Sequence, residues 1–173
     1  MKKAWFLDRD GTIIVDQHYL KDPEKVVLLD NAISALKEAQ EAGYILIIVT
    51  NQSGIARGYF SPEDADLVDT RLSTILEQNG VHITRTYRCP HLPDGIAPYN
   101  IECDCRKPNT GMFRQAISDF GLDPESCIAC GDKPRDIERL PELGLPKHNL
   151  GIIGTKENEY PDLLTFFHAV HRQ

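Results

Sequence analysis

The sequence predicts an α/β fold, a mainly parallel sheet with helices on both of its faces, from three observations. Short apolar runs, at 4–7 and 44–49 among others, alternate with longer segments of helical periodicity. The runs are apolar at consecutive positions, as in strands buried on both faces. They turn polar at their carboxyl ends, at 8–12, 50–53 and 131–136. In such a sheet the ligand crevice lies at those ends.

Each element has a local reason. After the strand at 4–7, Asp30 or Asn31 caps a helix with Ile33, Leu36 and Ala39 on one face, and Gly43 ends it. The strand at 44–49 then completes a βαβ unit. Ser61-Pro62-Glu63-Asp64 supplies an N-cap, a proline in the first turn and acids at the positive end of the dipole. Leu67, Val68, Leu72, Ile75 and Leu76 form the apolar face of that helix, which Gly80 stops. A strand over 82–88 leads into a Cys-rich stretch, 89–105. Thr110 then caps a helix carrying Met112, Phe113, Ala116, Ile117 and Phe120, ended by Gly121. A short strand at 126–130 follows. A short helix begins after Pro134 and is kinked or ended by Pro141. The last strand, 149–153, precedes an amphipathic tail with Leu163, Leu164, Phe167 and Val170.

With 173 residues, 41% of them hydrophobic, the chain reads as one domain over 1–173 that can bury its own core. Nineteen Lys and Arg against 26 Asp and Glu give a net charge of −7, which argues against a broad nucleic-acid surface. No apolar run approaches the roughly 20 residues that span a bilayer. Met1-Lys2-Lys3-Ala4-Trp5-Phe6-Leu7-Asp8 meets a carboxylate too early for a secretory signal. A cytoplasmic chain is expected, without membrane or nucleic-acid partners. It is expected to be a monomer, because no heptad or apolar stripe stands out. Five cysteines, an odd number without an export signal, point to metal before disulfides.

Asp8 and Asp10 sit one residue apart at a strand end, where two carboxylates repel unless a cation or a shared proton compensates them. A hard divalent ion, Mg²⁺, fits the Asp8 and Asp10 pair with a third oxygen ligand from Asp132. Asp136, one turn on, can support the site through Lys133, Lys107 or a metal-bound water. Asp8 is then a nucleophile for phosphorus, and Asp10 an acid for the leaving alkoxide and later a base for water. The Thr50 hydroxyl, backbone N–H groups near Gly11 and Asn51, and the Lys107 ammonium would stabilise the transferring phosphoryl group.

Asp8-Arg9-Asp10-Gly11-Thr12, Thr50, Lys107 and Gly131-Asp132 with Asp136 resemble, in order, the four motifs of the haloacid dehalogenase superfamily of phosphatases. The resemblance implies a Rossmann-like sheet, and the segments between the motifs leave no room for a large cap domain. Cys89, His91, Cys103 and Cys105 supply the three thiolates and one imidazole of a closed tetrahedral zinc site. Their CxH and CxC spacing is similar to the zinc loop of the branch containing heptose bisphosphate and histidinol-phosphate phosphatases, where zinc would be structural. The segments 50–58 and 105–108 look closest to the heptose bisphosphate enzymes. That resemblance implies substrate recognition by Arg106, a sugar site lined by Asp16, Gln17, His18, Tyr19, Asn51, Gln52 and Ser53, and a further contact from Lys133. The substrate implied is a heptose 1,7-bisphosphate cut at C7. Histidinol phosphate is the alternative, and a zinc-stabilised binding module on a degenerate phosphatase scaffold is an alternative of another class. Cys127 and Cys130 read as core residues, with a redox CxxC pair as the lesser reading. His82, His148, His168 and His171 read as surface or packing residues. After Asp136, the residues 137–148 depart from the family pattern, with Pro141 where small residues are expected.

Overall fold

A computed structural model describes residues 2–154 and 160–172. Five parallel strands form one sheet in the order β3-β2-β1-β4-β5: β1 (Lys3–Leu7), β2 (Tyr44–Asn51), β3 (Ile83–Cys89), β4 (Ile128–Gly131) and β5 (Leu150–Ile152). Helices α1 (Ala32–Glu41), α2 (Pro62–Gln78), α3 (Gly111–Phe120) and α4 (Leu163–His171) connect or follow them. The strand order reverses beside β1, which makes the carboxyl ends of β1 and β4 the switch point of the sheet.

Alternation along each strand feeds two cores. Trp5, Leu7, Leu46, Ile48 and Ile128 pack on one face against Leu36 of α1, Leu72 of α2 and Phe166 of α4. Ala4, Phe6, Ile47, Val49 and Ala129 pack on the other against Met112, Phe113 and Ala116 of α3. Cys127 and Cys130 belong to opposite cores, so they are packing residues and not a redox pair. Burial pushes both thiols up, that of Cys127 to about 11.

Several local expectations are corrected. Leu67 is 55% exposed, because the buried stripe of α2 runs through Ala65, Val68, Leu72 and Leu76 instead. Asn31 and Thr110 stand at the N-caps of α1 and α3 without side-chain capping bonds. Asn31 donates instead to Asp162, and the Thr110 hydroxyl accepts from Arg114. The strand expected from 126 begins at Ile128, after a 3-10 turn at Pro124–Ser126. In place of a helix after Pro134 there are 3-10 turns at Pro134–Asp136 and Leu140–Leu143, each opened by a residue pair containing proline. The atypical segment nevertheless packs well, with Leu140 and Leu145 buried in the α3-side core.

The cap of α2 is complete. Ser61 Oγ accepts from Asp64 N at 3.1 Å, and Asp64 Oδ2 accepts from Ser61 N at 2.9 Å. We expect Ser61→Ala to lower stability by about 1 kcal/mol in urea unfolding, with an unchanged m-value.

Candidate active site

Leu7 pairs with Cys130, so β1 and β4 end side by side and deliver Asp8 and Asp132 to one cavity. Asp136 enters from the following 3-10 turn, and carboxylate oxygens of Asp8, Asp132 and Asp136 lie within 4.8 Å of one another. Two glycines make this approach possible. A Cβ on Gly11, whose φ is +79°, would stand 2.3 Å from Asp132 Oδ2, and one on Gly131 would strike the Asp136 carboxylate.

Lys107, 2% exposed, is set among these acids. Its Nζ lies 3.0 Å from Asp8 Oδ1 and 2.8 Å from Asp136 Oδ1, and donates to Val49 O at 2.6 Å. Burial works against its charge, yet the attraction of Asp8 and Asp136 holds the ammonium above its usual range. One cation does not balance three carboxylates. Burial, followed by the charge of Asp8, pushes Asp132 up to about 7, and the same two causes raise Asp136 against the opposing pull of Lys107. This all-oxygen, negatively overcharged donor set fits a hard divalent cation such as Mg²⁺.

Asp10 lines the same cavity, but its carboxylate is turned toward Arg9 and Gln52 and not toward the other three acids. Gln52 Nε2 donates to Asp10 Oδ2 at 3.0 Å and to Thr50 Oγ1 at 2.9 Å. Thr50 itself is buried beneath the cavity lining.

The cavity holds about 260 Å³. Of the residues named from sequence, Asp16, His18, Tyr19, Asn51, Gln52, Ser53, Arg106 and Lys133 line it with Asp8, Asp10, Lys107, Asp132 and Asp136. Gly11 and Gln17 do not. Gly11 faces a neighbouring hollow, and the Gln17 amide donates to Lys25 O. Arg57 and Arg135 also line the cavity and were not singled out from sequence. Arg57 lies in the segment 50–58 and Arg135 in the polar cluster 131–136, so the signal for each is its neighbours' and not its own. The guanidinium of Arg57 lies 5.7 Å from the Tyr19 ring centre, and Tyr19 meets Tyr59 edge-on at 4.9 Å.

Beside the cavity, Cys89, His91, Cys103 and Cys105 converge. Cys105 Sγ lies 3.0 Å from Cys89 Sγ, 3.3 Å from Cys103 Sγ and 3.2 Å from His91 Nδ1. Cys89 Sγ is 3.6 Å from Cys103 Sγ and 3.7 Å from His91 Nδ1. A zinc–sulfur tetrahedron has edges of about 3.8 Å, so four ligands so close together fit one zinc ion. The loop they anchor meets the segment between the cavity-lining residues Gly54 and Arg57, where Ile96 N donates to Ala56 O at 2.6 Å. From Cys105 the chain runs directly into Arg106 and Lys107. Asn51 grips Lys107 by both backbone groups, at 2.9 Å from its N–H and 3.1 Å from its carbonyl.

Two adjacent acidic strand ends and a buried lysine at the switch point of a parallel sheet define a phosphatase of the haloacid dehalogenase type. The sequence profile described as polynucleotide kinase 3 phosphatase matches residues 3–147. The chain belongs to this family of haloacid dehalogenase-like phosphatases. It is 44% identical to the D-glycero-beta-D-manno-heptose-1,7-bisphosphate 7-phosphatase of Haemophilus ducreyi over 137 residues, 79% of this chain and 75% of that one. It is 41% identical to the D-glycero-alpha-D-manno-heptose-1,7-bisphosphate 7-phosphatase of Photorhabdus laumondii subsp. laumondii, over 84% of this chain and 80% of that one. The solved D,D-heptose 1,7-bisphosphate phosphatase of B. bronchiseptica, complexed with magnesium and phosphate, matches with a TM-score of 0.83 and 26% identity over 99% of each chain.

The acid cluster has a measurable signature. Between the ordinary value of 3.8 and about 7, folded Asp132 retains a proton that the unfolded chain releases, so this group lowers stability as pH rises through that window. In buffer without divalent ions, we expect Asp132→Asn to gain stability relative to wild type as pH rises from 3.8 to about 7, measured by urea unfolding at each pH.

Proposed function

We propose that this chain removes the C7 phosphate of a D-glycero-D-manno-heptose 1,7-bisphosphate with Mg²⁺ as cofactor. The carrying observation is the acid cluster around Lys107 at the β1/β4 switch point, in a chain 44% identical to a phosphatase named for that substrate. Asp8, Asp132 and the Asp10 carbonyl would hold Mg²⁺, which when bound neutralises phosphate oxygens and so lets a carboxylate approach phosphorus. Asp136 supports the site by pairing with Lys107 and accepting from Lys133 N.

In the first step an Asp8 oxygen bonds to phosphorus as the bond from phosphorus to the C7 oxygen breaks. Protonated Asp10 gives its proton to the departing alkoxide. In the second step water attacks the aspartyl-phosphate, the Asp10 carboxylate takes its proton, and inorganic phosphate leaves with Asp8 regenerated. Lys107 and backbone N–H groups near Gly11 and Asn51 offset charge on the phosphoryl oxygens. Thr50 acts through Gln52, given its buried position. Arg106 supplies a planar fork for the phosphate that does not react or for sugar hydroxyls, and Lys133, His18, Tyr19 and Ser53 line the sugar side. Zinc bound by Cys89, His91, Cys103 and Cys105 is structural, because four protein ligands leave no open position. The enzyme acts as a cytoplasmic monomer on a small molecule, and no described helix is long and apolar enough to cross a membrane.

Phosphate release with Mg²⁺ tests the reading on four substrates: the α- and β-heptose 1,7-bisphosphates, histidinol phosphate and a 3′-phosphorylated oligonucleotide. One heptose anomer is expected to lead in kcat/KM, and Asp8→Asn to abolish turnover while folding is retained. A lead for histidinol phosphate or the oligonucleotide would replace the proposed substrate, and full turnover by Asp8→Asn would remove the proposed nucleophile.

The zinc assignment predicts one zinc per chain by elemental analysis. Stripping it with a chelator, followed by restoring Mg²⁺, should raise KM more than it lowers kcat, since the loop it pins braces Ala56, between the cavity-lining residues Gly54 and Arg57.

A further inference from the structure

Arg9 lies between the two motif aspartates, yet its side chain is 1% exposed, and the proposed reaction gives it no task. Burying a guanidinium is expensive unless it is paired and hydrogen-bonded on its donors. Here both edges are used. Nε and Nη2 each lie 3.1 Å from Asp10 Oδ2, and Nη1 donates to Asp69 Oδ1 at 2.8 Å. Asp69 comes from α2 and is held in turn by Arg88 of β3, whose Nη1 donates to Asp69 Oδ2 at 3.2 Å. Arg88 Nη2 continues to Asp66 Oδ1 at 3.0 Å. Charges therefore alternate from the cavity to the surface through Asp10, Arg9, Asp69, Arg88 and Asp66. Asp69, Arg88 and Asp66 line a separate cleft between α2 and β3, away from the substrate.

We propose that Asp69 is a positioning residue for Asp10, acting through the Arg9 guanidinium. The guanidinium is rigid and planar, so fixing its Nη1 edge also fixes the Nε/Nη2 edge that Asp10 meets. With Gln52 donating to the same Asp10 oxygen, the carboxylate is restrained from two sides and aimed for its two proton transfers. Without Asp69, Arg9 can pivot around Asp10, and a small displacement of a catalytic group is enough to slow a reaction severely.

The inference rests on the reading of Asp10 as acid and base, and the test separates the two. Steady-state kinetics on heptose 1,7-bisphosphate with Mg²⁺ are compared for Asp10→Asn, Asp69→Asn, Arg9→Lys, the Arg9→Lys/Asp69→Asn double variant and Asp66→Asn. Asp10→Asn should abolish turnover, and Asp69→Asn should lower kcat about tenfold with KM within about twofold. Asp66→Asn, whose carboxylate is 69% exposed at the outer end, should match wild type. Arg9→Lys keeps the buried charge but gives up the two-edged fork, so it should reproduce the loss in kcat, and the double variant should lose no more than the worse single. Should Asp69→Asn not fold, Arg9→Lys decides by the same criterion. Wild-type kcat in Asp10→Asn would overturn the reading of Asp10. An inactive Asp10→Asn beside an Asp69→Asn that keeps its kcat, or in which KM rises as kcat falls, would overturn the role of Asp69 alone. Losses that multiply in the double variant would also overturn it.

Discussion

Crowding of negative charge at the end of two adjacent strands is the constraint on which the rest of the molecule depends. Parallel pairing of β1 with β4 forces Asp8 and Asp132 together, and the turn after β4 adds Asp136. Lys107 is the internal compensation, and its near-complete burial among carboxylates makes sense only there. The compensation is partial, as the raised position of Asp132 shows. An incomplete balance keeps such a site organised without its cation and still receptive to one.

Keeping a lysine in that position is a demand on the loop that carries it. Lys107 lies outside the strands and helices, so no regular hydrogen-bond ladder holds it. Two other devices do. Asn51, at the end of β2, clamps both backbone groups of Lys107. Two residues upstream, Cys105 is drawn toward Cys89 at the end of β3 by the four-ligand cluster. The loop is therefore tied to two neighbouring strand ends, and Arg106, between the ties, faces the cavity from a fixed base.

What could be read from the chain itself was local. Apolar runs ending in Asp8, Thr50 and Asp132 located the crevice, and Ser61-Pro62-Glu63-Asp64 marked the start of α2, because each signal lies within a few residues. The zinc ligands were legible for the same reason, as two short pairs of soft ligands. The links that cross the fold were not. Nothing near Arg9 in sequence indicates Asp69 or Arg88, and the polar cluster 131–136 locates its turn at the crevice without indicating that the Arg135 side chain lines the cavity. Leu67 is exposed because a helix has room for several apolar stripes, and the sheet decides which one is buried. Gln17 leaves the cavity to donate to Lys25 O, a partner eight residues on that a linear motif does not reveal.

The sheet and the loops accordingly divide the work. The acids and Lys107 come from strand ends, the Lys107 loop and the turn after β4, and their geometry follows from the register of the sheet. The other side of the cavity is lined from the loops around Tyr19, Ser53 and Arg57, and no cap domain covers them among the described residues. These loops are braced against one another, with Tyr19 against Tyr59 and Arg57, and Ala56 against the cysteine-rich loop at Ile96. A change in a brace can thus alter which phosphate ester fits while leaving the acids and Lys107 where they are.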